Sequence, residues 1–193
     1  MAGIAMAGLQ KRDVTAAEFD RAHMQSIHRA IFEKVYDWAG EPRVGPTFPK
    51  VMTKAGPSPE SIARGDYRAD DGHPYSYFPA GEEMLKHFDR WARILGRNLT
   101  ALEPDSSVER FAEAIAEPWG EMNVAHLFRE GNTRTQLVFF KQLAQRHGFS
   151  TTIAPLAHDA DLRARFNCGR FVIQAAGPTE LFESVIRDLT RRR

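Results

Sequence analysis

Apolar residues return at helical intervals along most of this chain, and that rhythm leaves room for little besides packed α-helices. Over residues 16–38, Phe19, Ala22, Ile27, Ile31, Val35 and Trp38 recur at three- to five-residue steps, and Thr15 with Glu18 forms a capping-box pattern. Gly40 and Pro42 are expected to end this helix. A second helix is predicted from Glu82 to Leu95, with Met84, Leu85, Phe88, Trp91 and Leu95 on one side. A third, capped by Ser107, carries Val108, Phe111, Ala112, Ile115 and Ala116 toward Asn123. Pro118 lies inside it, so a kink or an early end is expected near Trp119-Gly120. A fourth covers Thr133 to His147, with Leu137, Phe140, Leu143 and Ala144 inward and Gly148 as its stop. Shorter helices are predicted around 158–166, 168–175 and 178–191.

The period fails between Val44 and Pro74, which holds five prolines, four glycines and the polar run Arg68–His73. So long a connector is expected to contain a small hairpin or a lid, and the alternation in Tyr75-Ser-Tyr-Phe78 reads as a strand edge. At 193 residues the chain is expected to form one domain with a closed core. The class is mostly α and compact.

Charge narrows the partners. A net charge of +1 leaves no electrostatic footprint for nucleic acid, and Arg191-Arg192-Arg193 reads as a frayed tail. No run approaches the ~20 apolar residues that span a bilayer, and Met1–Gln10 lacks the charged and longer apolar regions of a signal peptide. Neither nucleic acid nor membrane is expected as a partner, and a cytoplasmic setting is expected, with a secretion signal elsewhere on the protein left open. Cys168 stands alone, so no internal disulfide forms; a small, half-buried apolar role is expected for it.

The chemistry concentrates in His126-Leu-Phe-Arg-Glu-Gly-Asn-Thr-Arg134, directly ahead of the fourth helix. Asn132 is read as its N-cap, which makes Thr133, Arg134 and Thr135 the first turn. That turn has no acid and adds a cation where the helix dipole disfavours one by roughly 0.3–1 kcal/mol. An external anion at the helix end explains the arrangement. His126 suits a proton acceptor, and Glu130 a hard-oxygen ligand for Mg²⁺ beside phosphate. Gly131 allows close backbone approach, and Arg134 can grip phosphate with a planar fork. Singly, each residue has a bland reading, and Phe128 is a core anchor under either. Their order and tightness favour function.

His126-x-Phe128-x-Glu130-Gly131-Asn132-x-Arg134 resembles the Fic-domain signature H-x-F-x-[DE]-G-N-G-R-x-x-R. Ile27-His28-Arg29-x-Ile31-Phe32-x-x-Val35-Tyr36-Asp37-Trp38-Ala39-Gly40-Glu41-x-Arg43 resembles the first helix of that family, and Asn123-Val124-Ala125 and Phe139-Phe140-x-Gln142-Leu143 match around the motif. The resemblance spans roughly residues 19–147. It implies an all-α, compact Fic-type bundle with a small β-hairpin flap, a core over about 16–150 and C-terminal helices over 155–191. It also implies transfer of AMP from ATP, with Mg²⁺, to a Ser, Thr or Tyr hydroxyl of a target protein. His126 would be the general base and Glu130 the Mg²⁺ ligand. Gly131, Asn132, Thr133 and Arg134 would bind the nucleotide, and Tyr75, Ser76 and Tyr77 would pair with the target by strand addition.

Two positions depart from the signature: its second glycine is Thr133 and its final arginine is Leu137. The Doc kinase branch, which transfers phosphate, also lacks that glycine and has leucine at the second position. Doc carries alanine at the Gly131 position and lysine at the Thr133 position, so this chain is intermediate. The leading expectation is adenylylation weakened by Thr133 and Leu137; the alternatives are a Doc-like kinase and a nucleotide-binding pseudoenzyme. The family's inhibitory [ST]-x-x-x-E-[GN] helix is approached by Thr179-x-x-x-Glu183-Ser184, read as a chance match, so the resemblance implies an inhibitor on a separate antitoxin chain or none at all.

Overall fold

The computed structural model describes residues 19–45 and 51–193. Helix α1, Arg21–Phe32, opens on Asp20, whose side chain accepts from His23 N. The predicted Thr15–Glu18 capping box lies outside the described residues. The helix stops at Phe32, six residues short of the expected Trp38, because the chain folds back on it. Gln25 Nε2 donates to Gly40 O at 2.8 Å, and Tyr36 stacks on Trp38 at 4.3 Å. Val35 is left half exposed at 49%, and Ala22 also faces outward, while Met24 and His28 take buried places.

Strand β1, Thr53–Gly56, pairs antiparallel with β2, His73–Ser76, matching Lys54 to Tyr75. Between them lies the short helix α2, Pro59–Ala63. The expected hairpin is present, and it begins earlier than the strand edge read at Tyr75–Phe78. Helix α3, Glu82–Thr100, buries Met84, Phe88, Ala92, Leu95 and Leu99; it outruns the predicted Leu95 by a turn and more.

Helix α4, Val108–Ala125, is the centre of the fold. It contacts α3 and the later helices, and it is buried over most of its surface, with a charged stripe of Glu109, Glu113 and Glu117 left exposed. It continues through Pro118 to Ala125, past the early end expected near Trp119-Gly120. A proline there cannot donate to Ala114 O, four residues back. Asn98 of α3 replaces the missing donor, its Nδ2 reaching Ala114 O at 2.9 Å.

Helix α5, Asn132–Arg146, lies against α1 and leads into strand β3, Phe149–Thr151. After the short α6, Pro155–His158, the two helices expected over 158–175 form one, α7, Ala160–Gln174, capped by Asp159. It crosses α4 so closely that a Cβ on Gly120 would lie 2.6 Å from Ile173. Helix α8, Glu180–Leu189, ends in strand β4, Thr190–Arg192, which pairs with β3. The arginine tail is therefore structured, not frayed. Arg192 donates to Ser106 O at 3.1 Å and to Pro104 O, and lies 4.9 Å over the Phe149 ring. Trp119, stacked on Phe140 at 4.1 Å and edge-on to Phe182, knits α4, α5 and α8 into one core.

Asn98→Leu strands the Ala114 carbonyl inside the bundle. It is expected to destabilise the fold by about 1–2 kcal/mol in chemical denaturation. An unchanged midpoint would reject the relay that lets α4 pass its proline.

Candidate active site

Helix α4 is turned sharply at its end. Its C-cap, His126, takes the left-handed conformation at φ 47°, which costs a residue with a Cβ roughly 1–2 kcal/mol. Buried Arg43 holds it there. Its Nε donates to His126 O at 2.7 Å, and its Nη2 to Ala125 O at 3.2 Å and to Phe78 O. Its backbone N–H bonds Leu127 O at 2.8 Å. These include carbonyls that a helix C-terminus leaves unsatisfied, and a guanidinium suits the negative end of the dipole.

The loop after His126 is tied from inside. Asn132 is not the predicted N-cap: Gly131 holds that position at φ 81°, and Asn132 is the first helical residue. The buried Asn132 side chain reaches back instead, accepting from Phe128 N at 2.8 Å and donating to Phe128 O at 2.7 Å. A side chain at 131 would put its Cβ 2.4 Å from the Phe32 ring, so only glycine fits the turn. His28, stacked on Phe128 at 3.9 Å, completes the tie. Its Nδ1 accepts from Gly40 N at 2.8 Å, which leaves Nε2 to donate to Glu130 O at 3.0 Å.

The first turn of α5 carries no acid. Thr135 N is the first amide to bond back, to Gly131 O, so the amides before it have no intrahelical acceptor. Glu130 Oε1 accepts from Gly131 N at 2.9 Å and from Arg134 Nη2 at 3.2 Å. Arg134 lies 4.8 Å over the Phe32 ring and Arg129 5.6 Å over Trp38, so the first helix and its turn place both arginines. Together with His126, Tyr77 and Met52–Lys54 of the hairpin, the motif lines a cleft of about 290 Å³. A broader groove of about 770 Å³ runs along α1 and α3 but holds none of the motif residues.

Within the cleft His126 is held neutral. Its pKa falls to about 4, first because of burial, then because of Arg43, Arg170 and Lys54, with Glu130 opposing. Its Nδ1 is enclosed without a partner among the described residues, and its ring lies 4.2 Å from Tyr77. A neutral imidazole facing a set of cations and helix amides can accept a proton beside a bound anion.

The structure brings His126, Glu130, Gly131, Asn132, Thr133, Arg134 and Tyr77 to this cleft. Tyr75 and Ser76 are not among its lining. Tyr75 stacks on Phe171 at 4.2 Å and donates its hydroxyl to Pro57 O at 2.7 Å, while Ser76 O accepts from Gln174 Nε2. The Asn132 side chain is occupied by the loop, which leaves its backbone N–H for a ligand. Glu183 is bonded by Thr179 Oγ1 at 2.6 Å and stands outside the cleft lining. Cys168 is fully buried, its thiol on Tyr67 O and pushed up to about 11 by burial.

A Fic/DOC family model matches residues 18–144. The chain belongs to the Fic/DOC family. It is 34% identical over 133 residues to a protein adenylyltransferase of Bartonella henselae, covering 67% of this chain and 22% of that protein. It is 30% identical over 135 residues to the protein named "Probable protein adenylyltransferase y4lH" of Sinorhizobium fredii, covering 68% of this chain and 56% of that protein. The chain thus spans about half or less of the curated relatives it matches. A Fic domain of a Bartonella quintana Bep effector, solved with bound ADP, superposes with a TM-score of 0.72 at 20% identity, over 100% of this chain and 82% of that one. The BepC protein of Bartonella tribocorum with bound AMPPNP does so at 0.69 and 19%, over 100% and 83%. No helix among the described residues of this Fic/DOC protein is long and apolar enough to cross a membrane.

Sequence reasoning gave no role to four groups that shape the site. His28 and Arg43 lay within the quoted resemblance but act through loop carbonyls, which no side-chain pattern reveals. Lys54 sits on the irregular segment. Arg170 had one available signal: a lone arginine inside the apolar run Cys168-Gly-Arg-Phe-Val-Ile173.

Two measurements test the geometry. Gly131→Ala meets both the positive φ and the Phe32 ring, and should cost about 2–4 kcal/mol in denaturant unfolding. Wild-type stability in that variant would show the turn to be tolerant. The His126 imidazole, followed by NMR in the free protein, should titrate near pH 4; an ordinary midpoint near 6.5 would remove the field described above.

Proposed function

We propose that this Fic/DOC protein is a protein adenylyltransferase, moving AMP from ATP to a hydroxyl side chain of a target protein. The observation that carries this reading is the neutral imidazole of His126 at the mouth of an acid-free helix N-terminus. In the proposed reaction the target hydroxyl oxygen attacks the α-phosphorus as its proton passes to His126 Nε2. The bond to the β-phosphate oxygen breaks, and pyrophosphate leaves. Amides at Gly131–Arg134 and the Arg134 guanidinium take the phosphate charge.

The residues present fit Mg²⁺. Among the described residues no cluster of three or more His, Cys, Asp or Glu side chains forms a cage, but Mg²⁺ needs only one or two carboxylates beside phosphate oxygens and water. Glu130 would hold it, and the ion would neutralise phosphate charge. Glu130 can be released for this work, because its exposed pair with Arg134 is worth only about 0–1 kcal/mol.

Target docking is assigned to β1, which revises the expectation for Tyr75–Tyr77. Strand β2 lies between β1 and α7, whereas β1 is exposed along Thr53, Lys54 and Ala55 and its first residues line the cleft. Among the described residues β1 pairs with β2 alone, and an extended target segment added to its other edge would place a hydroxyl near His126.

Leu137, shared with the Doc branch, motivates a second reading in which the γ-phosphate moves instead. Labelled ATP separates the two. Label from the α-phosphate should enter protein, and His126→Ala should abolish that transfer by at least about 100-fold without loss of fold. Label arriving only from the γ-phosphate would replace adenylylation by kinase chemistry. Glu130→Gln should weaken Mg²⁺-dependent nucleotide binding, read from a Mg²⁺ titration.

A further inference from the structure

Helix α7 delivers a buried cation to the back of the cleft. Arg170 is 4% exposed. Its Nη1 donates to Asn123 Oδ1 at 3.2 Å and to Thr133 Oγ1 at 3.3 Å, and its Nη2 to Asn167 Oδ1 at 2.7 Å. The guanidinium lies 4.3 Å over the Phe166 ring, and Nε has no partner among the described residues. Every one of these neighbours is neutral. Burial lowers its pKa to about 10, yet it stays charged at neutral pH. A buried charge without a counter-charge is costly, and it persists where something else supplies the opposite sign.

Thr133 connects this cation to the ligand space. A guanidinium only donates, so Thr133 Oγ1 must accept from it, and the hydroxyl hydrogen is left to point elsewhere. Thr133 itself lines the cleft, in the first turn of α5. Leu137 stands one turn further along the same face and is half-buried. The two departures from the Fic signature are therefore neighbours on one helix face, and Arg170 approaches that face from α7. A glycine at 133 would offer Arg170 no acceptor and the ligand no hydroxyl.

We propose that Arg170 is a positioning residue for the terminal phosphates of a bound nucleoside triphosphate, orienting the Thr133 hydroxyl toward them and supplying from α7 the positive charge that Leu137 does not. This rests on the nucleotide-binding part of the adenylyltransferase reading. It deepens that reading by making the threonine and the lost arginine parts of one rearranged cradle.

Calorimetry on the full chain with Mg²⁺ tests it, using a nonhydrolysable ATP analogue and adenosine as probes. Arg170→Gln should weaken the analogue about 10- to 100-fold, the span of one hydrogen bond to a charged group, and adenosine by less than about twofold. Thr133→Val should reproduce the loss and Thr133→Ser should not. Adding Leu137→Arg to Arg170→Gln should restore analogue binding, which a merely structural role for Arg170 would not allow. Wild-type analogue affinity in both Arg170→Gln and Thr133→Val overturns the proposal while leaving nucleotide binding intact. Failure of the wild-type chain to bind the analogue overturns both readings. If Arg170→Gln does not fold, the Thr133 pair decides, since valine keeps the shape and loses the hydroxyl while serine keeps the hydroxyl: equal affinity in Val and Ser variants counts against the proposal.

Discussion

The site depends on the grip of Arg43 on the end of the central helix. Helix α4 must stop and reverse within a single residue so that His126 faces the cleft and not the core. That reversal places a side-chain-bearing residue at φ 47° and leaves C-terminal carbonyls bare. One buried guanidinium answers Ala125 O, His126 O and Phe78 O together. It thereby also fixes where the hairpin leaves for α3. The other end of the loop is fixed by His28 on Glu130 O, again from α1 and the turn that follows it. A helix distant in sequence, with the turn that follows it, thus sets the geometry of the motif. This is why α1 and its turn carry polar groups in otherwise apolar surroundings.

The same charges have two consequences. Arg43, Arg170 and Lys54 depress the proton affinity of His126 in the free protein, and they also make the cleft attractive to an anion. Bound phosphates would cancel part of that field, and the imidazole would then hold a proton more readily. In the proposed transfer, a base that is weak alone and stronger beside an anionic substrate would be protected from idle protonation, and would gain strength at the stage where the hydroxyl gives up its proton. Carboxylates are sparse here for the same reason: Glu130 is the one acid lining the cleft among the described residues, and it faces solvent.

Much of this was legible in the chain itself. The helical periods located α3, α4 and α5, and the motif located the cleft between the last two, because both signals are local. What stayed hidden depends on contacts between distant residues. Pro118 reads as a break until Asn98 is seen to serve Ala114 O. Asn132 reads as a cap until its amide is found spent on Phe128. Three consecutive arginines read as a loose end, yet Arg192 closes a second small sheet over Phe149. The first helix reads six residues too long because Val35 and Trp38 keep its period, although the chain there has already turned back onto His28 and Gln25.

The hairpin divides the site into a fixed part and an adaptable one. Tyr75 and Tyr77 are two residues apart, so they share one face of the β2 line. That face is buried, one ring on Phe171 and the other on His126. A one-residue slip in pairing would expose both rings, so the register with β1 is strongly specified. Since Gln174 also holds Ser76 O, β2 is committed to the body of the protein. Strand β1 keeps its register through β2 but remains exposed, and Lys54 on it feels the charge of Arg170. Backbone fixed under β2 and the motif loop would therefore carry the proposed chemistry. An open strand edge and one weak ion pair, Glu130 with Arg134, are left to respond to whatever binds.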